Sequence, residues 1–253
     1  MLFQGKNAII TGARTGIGLA CVRRFSEEGA NIWAIIHRED QAFLQEIVDL
    51  ASKYNTWIKP VYIDLSDREA IKTGIQAIVK EKLSIDILVN AAGVVSPNNL
   101  IQMTSLDVMH KVMDMNFFSV VQICQLVSRM MCKQKSGSIV NVGSIAGLDG
   151  DLAQMEYAAS KAALICATKK MAYEWGQYGI RVNAVAPGLT GTKMLDGMAQ
   201  SDVEFMVENN PLRRQAIPAE IADCICFLSS DQASYITSQV IRIDGGGYKL
   251  HLK

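Results

Sequence analysis

Residues 7–18 read Asn7-Ala8-Ile9-Ile10-Thr11-Gly12-Ala13-Arg14-Thr15-Gly16-Ile17-Gly18. A short apolar, β-branched run leads into three glycines spaced Gly-x-x-x-Gly-x-Gly, and the glycines open onto a segment of helical period. Strand, tight turn and helix in that order make the first half of a βαβ unit. Working outward, the alternation repeats. Further strand-like runs fall at 31–36, 57–64, 85–90, 138–143, 180–186 and 240–243, and helical patterns at 16–29, 40–54, 67–82, 105–134, 154–176 and 218–229.

Seven apolar strands separated by helices imply parallel pairing through right-handed crossovers, with both faces of the sheet covered. The expectation is a single doubly wound, Rossmann-type α/β domain over 1–253, with a seven-stranded parallel sheet flanked by helices on both faces. No linker, repeat or low-complexity tract divides it. The stretch 187–218, broken by Gly188, Gly191, Gly197 and Pro211, follows the sixth strand at its carboxyl end. It reads as a substrate-covering loop with a short helix near 201–208, or as a plain surface insertion.

The chain of 253 residues carries 25 Lys and Arg against 25 Asp and Glu, with no block of one sign. That balance argues against nucleic acid or an anionic membrane as the main partner. No run approaches the ~18 to 20 apolar residues of a membrane span, and residues 1–6 lead directly into the first strand, so a cytoplasmic protein is expected. Six cysteines (Cys21, Cys124, Cys132, Cys166, Cys224 and Cys226) are scattered through apolar helical stretches and are expected to be buried small hydrophobes. His37, His110 and His251 sit in no ligand spacing, so no metal is expected.

Glycines in a first βα turn let backbone approach a pyrophosphate whose charge faces the helix N-terminus, although a tight connection alone also uses them. The second strand ends Ile35-Ile36-His37-Arg38, without the carboxylate that holds a ribose 2′-hydroxyl in NAD-binding proteins of this fold. With Arg14, His37 and Arg38 available for a 2′-phosphate, NADP(H) is favoured; alternatively, Arg38 begins the solvated face of the next helix.

Tyr157-Ala158-Ala159-Ser160-Lys161 lies in a helical pattern, so phenol and ammonium share one face one turn apart. A fixed positive charge stabilises phenolate and brings Tyr157 toward acid–base use. Ser144, at the end of the fifth strand, is placed to hydrogen-bond a substrate oxygen in the same crevice. Singly, each has a plainer reading: surface helix residues, and a loop cap.

Together these residues resemble the short-chain dehydrogenase/reductase family over essentially the whole chain. The resemblance assigns Gly12, Arg14, Thr15, Gly16, Ile17 and Gly18 to the cofactor turn, with His37 and Arg38 beyond it. Asp64 and Leu65 become the adenine contact, Asn90, Ala91 and Gly93 the segment after the fourth strand, and Pro187, Gly188, Thr190 and Thr192 the loop over the nicotinamide. Asn116, Ser144, Tyr157 and Lys161 match the family's catalytic tetrad. It implies that Tyr157 protonates a carbonyl oxygen, Ser144 steadies it, Lys161 lowers the Tyr157 pKa and grips the ribose, and Asn116 supports a proton relay. Without it, Asn116 reads as a polar break in a long helix.

Several strings resemble reductases of 3-oxoacyl thioesters on acyl carrier protein or coenzyme A: Gln154, placed with Ser144 and Tyr157 on the substrate, the run 227–237, and Asp244-Gly245-Gly246-Gly247. Relatives acting on sugars, steroids or other ketones share them. Arg129, Lys133 and Lys135 could receive an acidic carrier, yet Tyr173 stands where carrier-specific relatives have a basic residue. The apolar surfaces of 105–134 and 154–176 exceed one stripe, and family members usually pair these helices in tetramers, so a homo-oligomer is expected. The expected activity is NADPH-dependent carbonyl reduction, against the same chemistry on another ketone or alcohol, or a non-catalytic NADP-binding regulator.

Overall fold

The computed structural model describes residues 1–96, 99–150 and 154–247. Seven strands form one sheet: β1 (Asn7–Thr11), β2 (Asn31–Ile36), β3 (Ile58–Tyr62), β4 (Ile87–Asn90), β5 (Gly137–Val142), β6 (Ile180–Pro187) and β7 (Val240–Ile243). Their order is β3-β2-β1-β4-β5-β6-β7, and every pairing is parallel. Period-2 alternation sends Ala8 and Ile10 of β1 into one core and Ile9 into the other, so both faces are buried.

Nine α-helices cover the faces: α1 (Gly16–Glu27), α2 (Gln41–Tyr54), α3 (Arg68–Lys80), α4 (Leu106–Met113), α5 (Ser119–Gln134), α6 (Ala146–Asp149), α7 (Met155–Trp175), α8 (Gln200–Glu208) and α9 (Pro218–Ser229), counted among the described residues. Strand order reverses between β1 and β4, which opens a crevice at the carboxyl edge where both crossovers leave in opposite directions.

Three expectations change. The single helix over 105–134 is two, α4 and α5, joined by a π-turn at Asp114–Phe118. One extra residue in that turn rotates Asn116 inward, and π-bulges of this kind gather at functional sites. The fourth strand begins later than the apolar run, because Ile85 bonds the Gln134 side chain at both its N–H and its carbonyl. Cys21, Cys124 and Cys226 are buried, Cys132 on α5 and Cys224 on α9 are half-buried against the cores, and Cys166 on α7 is exposed.

The 187–218 stretch contains α8 and a 3-10 turn, Lys193–Gly197, and its two ends meet at a bridge between Thr190 and Ala216. Among the described residues no helix is long and apolar enough to cross a membrane.

Candidate active site

The glycine turn sits at the β1/β4 reversal. Gly12 has φ +66°, and a Cβ there would lie 2.9 Å from the Cα of Ala92; one at Gly18 would run into the Gly12 carbonyl oxygen. Only glycine allows this packing of turn, helix and β4 exit. Thr11 Oγ1 accepts the N–H groups of Ala91 and Ala92, both at 3.1 Å, locking the two segments together. Asp40, Asp67 and Ser105 cap α2, α3 and α4 with their side chains, whereas Thr15 makes no such cap on α1. The first-turn N–H groups of α1 therefore stay open to an anion. Thr192 packs beside this turn: its Cγ2 lies 3.3 Å from where a Gly16 Cβ would stand.

At the end of β2 the arrangement departs from the expectation of a carboxylate-free site. Arg14 donates to Asp40 at 3.0 Å, and His37 Nδ1 lies 3.8 Å from Asp64. Asp40 is two residues beyond Arg38, and the turn into α2 brings it back against Arg14. Arg38 is exposed, with no ion pair among the described residues. Asp64 accepts the N–H and hydroxyl of Ser66, and these bonds hold its carboxyl below the usual range.

Four side chains from three elements converge beside β5. Lys161, only 4% exposed, donates to the Val142 carbonyl at 2.8 Å and stands 5.7 Å from the Tyr157 ring centre. Burial lowers its pKa to about 8. The Tyr157 phenol is a neighbour of the Ser144 side chain. Burial nonetheless keeps that phenol above its ordinary value, with Ser144 acting in the lowering direction. The expected lowering by Lys161 does not show in the chain alone: burial outweighs Ser144, the one group acting in the lowering direction.

Asn116 is fully buried. It accepts the Val94 N–H at 2.8 Å, and donates to the Val94 carbonyl at 2.9 Å and to Ser160 Oγ at 3.1 Å. Its Oδ1 and the Lys161 ammonium both border Gly93: a Cβ there would lie 3.2 Å and 3.3 Å from them. The π-turn therefore brings Asn116 to the Lys161 side of the site, which a polar break in a straight helix does not require.

The side chains of two assigned residues have partners within the chain. The Asn90 amide donates to Asn141 at 2.8 Å and to Cys124 sulfur at 3.3 Å inside the core, so it braces β4 against β5. Gln154, at φ +50°, donates to the Ser96 carbonyl at 2.9 Å, and its N–H reaches Asn99. It braces the loop after β4. The sequence reading missed its companion Glu156, which is 2% exposed and hydrogen-bonded to the Ser96 hydroxyl. A carboxylate next to Tyr157 in a predicted helix was the available signal; its burial was not readable.

The family profile described as enoyl-(acyl carrier protein) reductase matches residues 12–248. The 3-oxoacyl-(acyl-carrier-protein) reductase FabG of Thermotoga maritima is 40% identical over 247 residues, covering 97% of this chain and 99% of that protein. Among solved structures, levodione reductase superposes with TM-score 0.90 at 31% identity, covering 96% and 98% of the two chains. A 3-oxoacyl-(acyl-carrier protein) reductase from Brucella melitensis gives TM-score 0.86 at 31% identity, covering 98% and 93%.

Proposed function

The chain belongs to the short-chain dehydrogenase/reductase family and is an oxidoreductase, and from that premise we propose that it reduces 3-oxoacyl thioesters to 3-hydroxyacyl thioesters with NADPH. The observation that carries the reading is the meeting of Ser144, Tyr157, Lys161 and Asn116 beside an uncapped helix N-terminus at the carboxyl edge of the sheet.

The residues present fit a dinucleotide. The open N–H groups of Gly16, Ile17 and Gly18 would hold its pyrophosphate, and the space kept clear by Gly93 admits a group against Lys161. When bound, NADPH supplies the hydride. Tyr157 gives its proton to the ketone oxygen, and the raised phenol pKa keeps that proton in place at neutral pH. Ser144 bonds the same oxygen as it gains charge, from a position already set against Tyr157. Lys161 contributes a positive charge held by Val142. Because burial brings its pKa to about 8, that charge is present below this pH and lost above it. Exposed Arg38 and His37 favour a 2′-phosphate, for which Arg14 would exchange or share Asp40.

The thioester choice follows the names of the relatives, two of which are 3-oxoacyl reductases of acyl carrier protein. Exposed Arg129, Lys133 and Lys135 offer an acidic carrier a basic landing area, without help from exposed Tyr173. The exposed Ala159, Ala162 and Cys166 on α7 fit burial in a homotetramer, and a single cytoplasmic domain over 1–253 completes the reading.

The test follows NADPH absorbance with short and long 3-oxoacyl thioesters, 2-enoyl thioesters, sugars and cyclic ketones. Fastest turnover on 3-oxoacyl thioesters supports the proposal. Preference for a sugar or cyclic ketone replaces the substrate, and preference for the enoyl thioester replaces the reaction. Absence of turnover on all, with NADPH bound, favours a regulatory protein.

A further inference from the structure

The 188–217 segment leaves β6 at Gly188 and returns through Asn210 to α9, and both roots rest on one residue. A Gly188 Cβ would stand 2.8 Å from the Asp244 Cβ, and the Gly188 N–H donates to Ile243 at 2.9 Å. Asn210, 8% exposed, donates to the Asp244 carbonyl at 2.7 Å and accepts the Leu212 N–H at 2.9 Å. The Asp244 side chain is 8% exposed, and its Oδ2 accepts Arg242 Nε at 2.9 Å and Nη2 at 2.6 Å.

Arg242 holds a second carboxylate with the same guanidinium. Its Nη1 and Nη2 donate to the two oxygens of Asp149 at 2.7 and 2.8 Å. Asp149 ends α6, between Ser144 and Tyr157. Because β7 lies beside β6, with Arg242 opposite Ala186, this contact crosses the end of β6 where the segment departs. Most surface ion pairs contribute little, but a guanidinium bidentate to one carboxylate and doubly bonded to another has the geometry that does.

We propose that Arg242 is a positioning residue that ties the substrate-covering segment to the stretch bearing Ser144 and Tyr157, through Asp244 on one side and Asp149 on the other. The proposal rests on the reading of those residues as the reducing site. A lysine cannot replace it, because one ammonium lacks the planar fork that serves both carboxylates.

The test compares Arg242→Gln, Arg242→Lys and Asp149→Asn, and the Arg242→Gln/Asp149→Asn double variant, in the full chain. The expected result is amide exchange across 189–209 faster by about fivefold or more, and KM for the ketone raised about five- to tenfold, on the scale of one charge-assisted pair. The kcat stays within about threefold, since Ser144, Tyr157 and Lys161 are untouched, while NADPH affinity falls no more than the ketone KM rises, because Thr190 and Thr192 lie in the loosened segment. The double variant is expected to be no worse than the worse single one, because both remove the same tie. Unchanged KM and exchange in Arg242→Gln and Asp149→Asn would overturn the proposal, as would additive effects or a kcat that falls as far as KM rises. Asp149→Asn keeps the test alive if Arg242→Gln does not fold. Exchange is read without any substrate, so failure of the thioester assignment remains distinguishable from failure of the tie.

Discussion

Lys161 and Arg38 are the two cations that the proposed function gives to a dinucleotide, and they stand in opposite surroundings. Lys161 is 4% exposed, bonded to Val142, and its pKa falls to about 8 through burial. Arg38 lies exposed at the end of β2, near the Arg14–Asp40 and His37–Asp64 pairs. Around Lys161 the positions are fixed by Asn116, Ser160 and the α7 backbone, so electrostatics act in a desolvated setting. Around Arg38 the charges reach solvent and are screened by salt. On the proposed reading, chemistry is built into the buried end and cofactor preference into the exposed end, where it is easier to alter.

The strongest way to break this contrast is to remove the phenol oxygen. Tyr157→Phe is expected to cut turnover by about 10²-fold or more, the scale of a general acid, with NADPH affinity nearly unchanged. Stopped-flow turnover and a fluorescence titration of NADPH check it. Near-normal turnover would make the buried end merely structural.

A smaller effect is expected from crowding the same end without touching its reacting groups. Gly93→Val puts a side chain where a Cβ already comes within 3.3 Å of both Asn116 Oδ1 and Lys161 Nζ. Displacement of either should cost about tenfold in kcat/KM. A comparable variant at Val94, 37% exposed, is the control.

At the exposed end, Arg38→Asp should lower the preference for NADPH over NADH by about tenfold, one charge-assisted phosphate contact. Added salt should erode the parent's preference but leave the Tyr157→Phe effect intact. Equal affinity of the parent for both cofactors would remove the role given to Arg14, His37 and Arg38, and would fit the unexpected nearness of Asp40.

The smallest effect concerns stability. The folded chain holds Lys161 at a pKa of about 8 and the unfolded chain at its ordinary 10.5. Between those values the unfolded state binds more protons, so stability rises with pH. The burial cost is fully present below about pH 8 and disappears as pH approaches the unfolded value. Lys161→Met should therefore melt a few degrees higher than the parent at pH 7, with the difference shrinking toward pH 10, although it is inactive. A lower Tm at pH 7 would mean that the bond to Val142 outweighs the cost of burying the charge. In the parent, reduction should decline above about pH 8 as the ammonium is lost, read from the pH profile of kcat.

Local pattern determined much of this protein. The apolar strands read from period 2, the glycine turn from its spacing, and the Tyr157 and Lys161 face from i, i+4, because each depends on residues within one or two turns of each other. β1, β2, β7 and α9 lie where those patterns placed them. What tertiary structure alone decided involves residues distant in sequence or turns with an extra residue. The π-turn aimed Asn116 at Val94 and Ser160; the entry to α2 set Asp40 against Arg14; and β7 brought Arg242 to Asp149, 93 positions away. Burial likewise belongs to the assembled fold. Desolvation, which sets the pKa directions of Tyr157 and Lys161, is a property of everything packed around them, and no spacing within α7 encodes it.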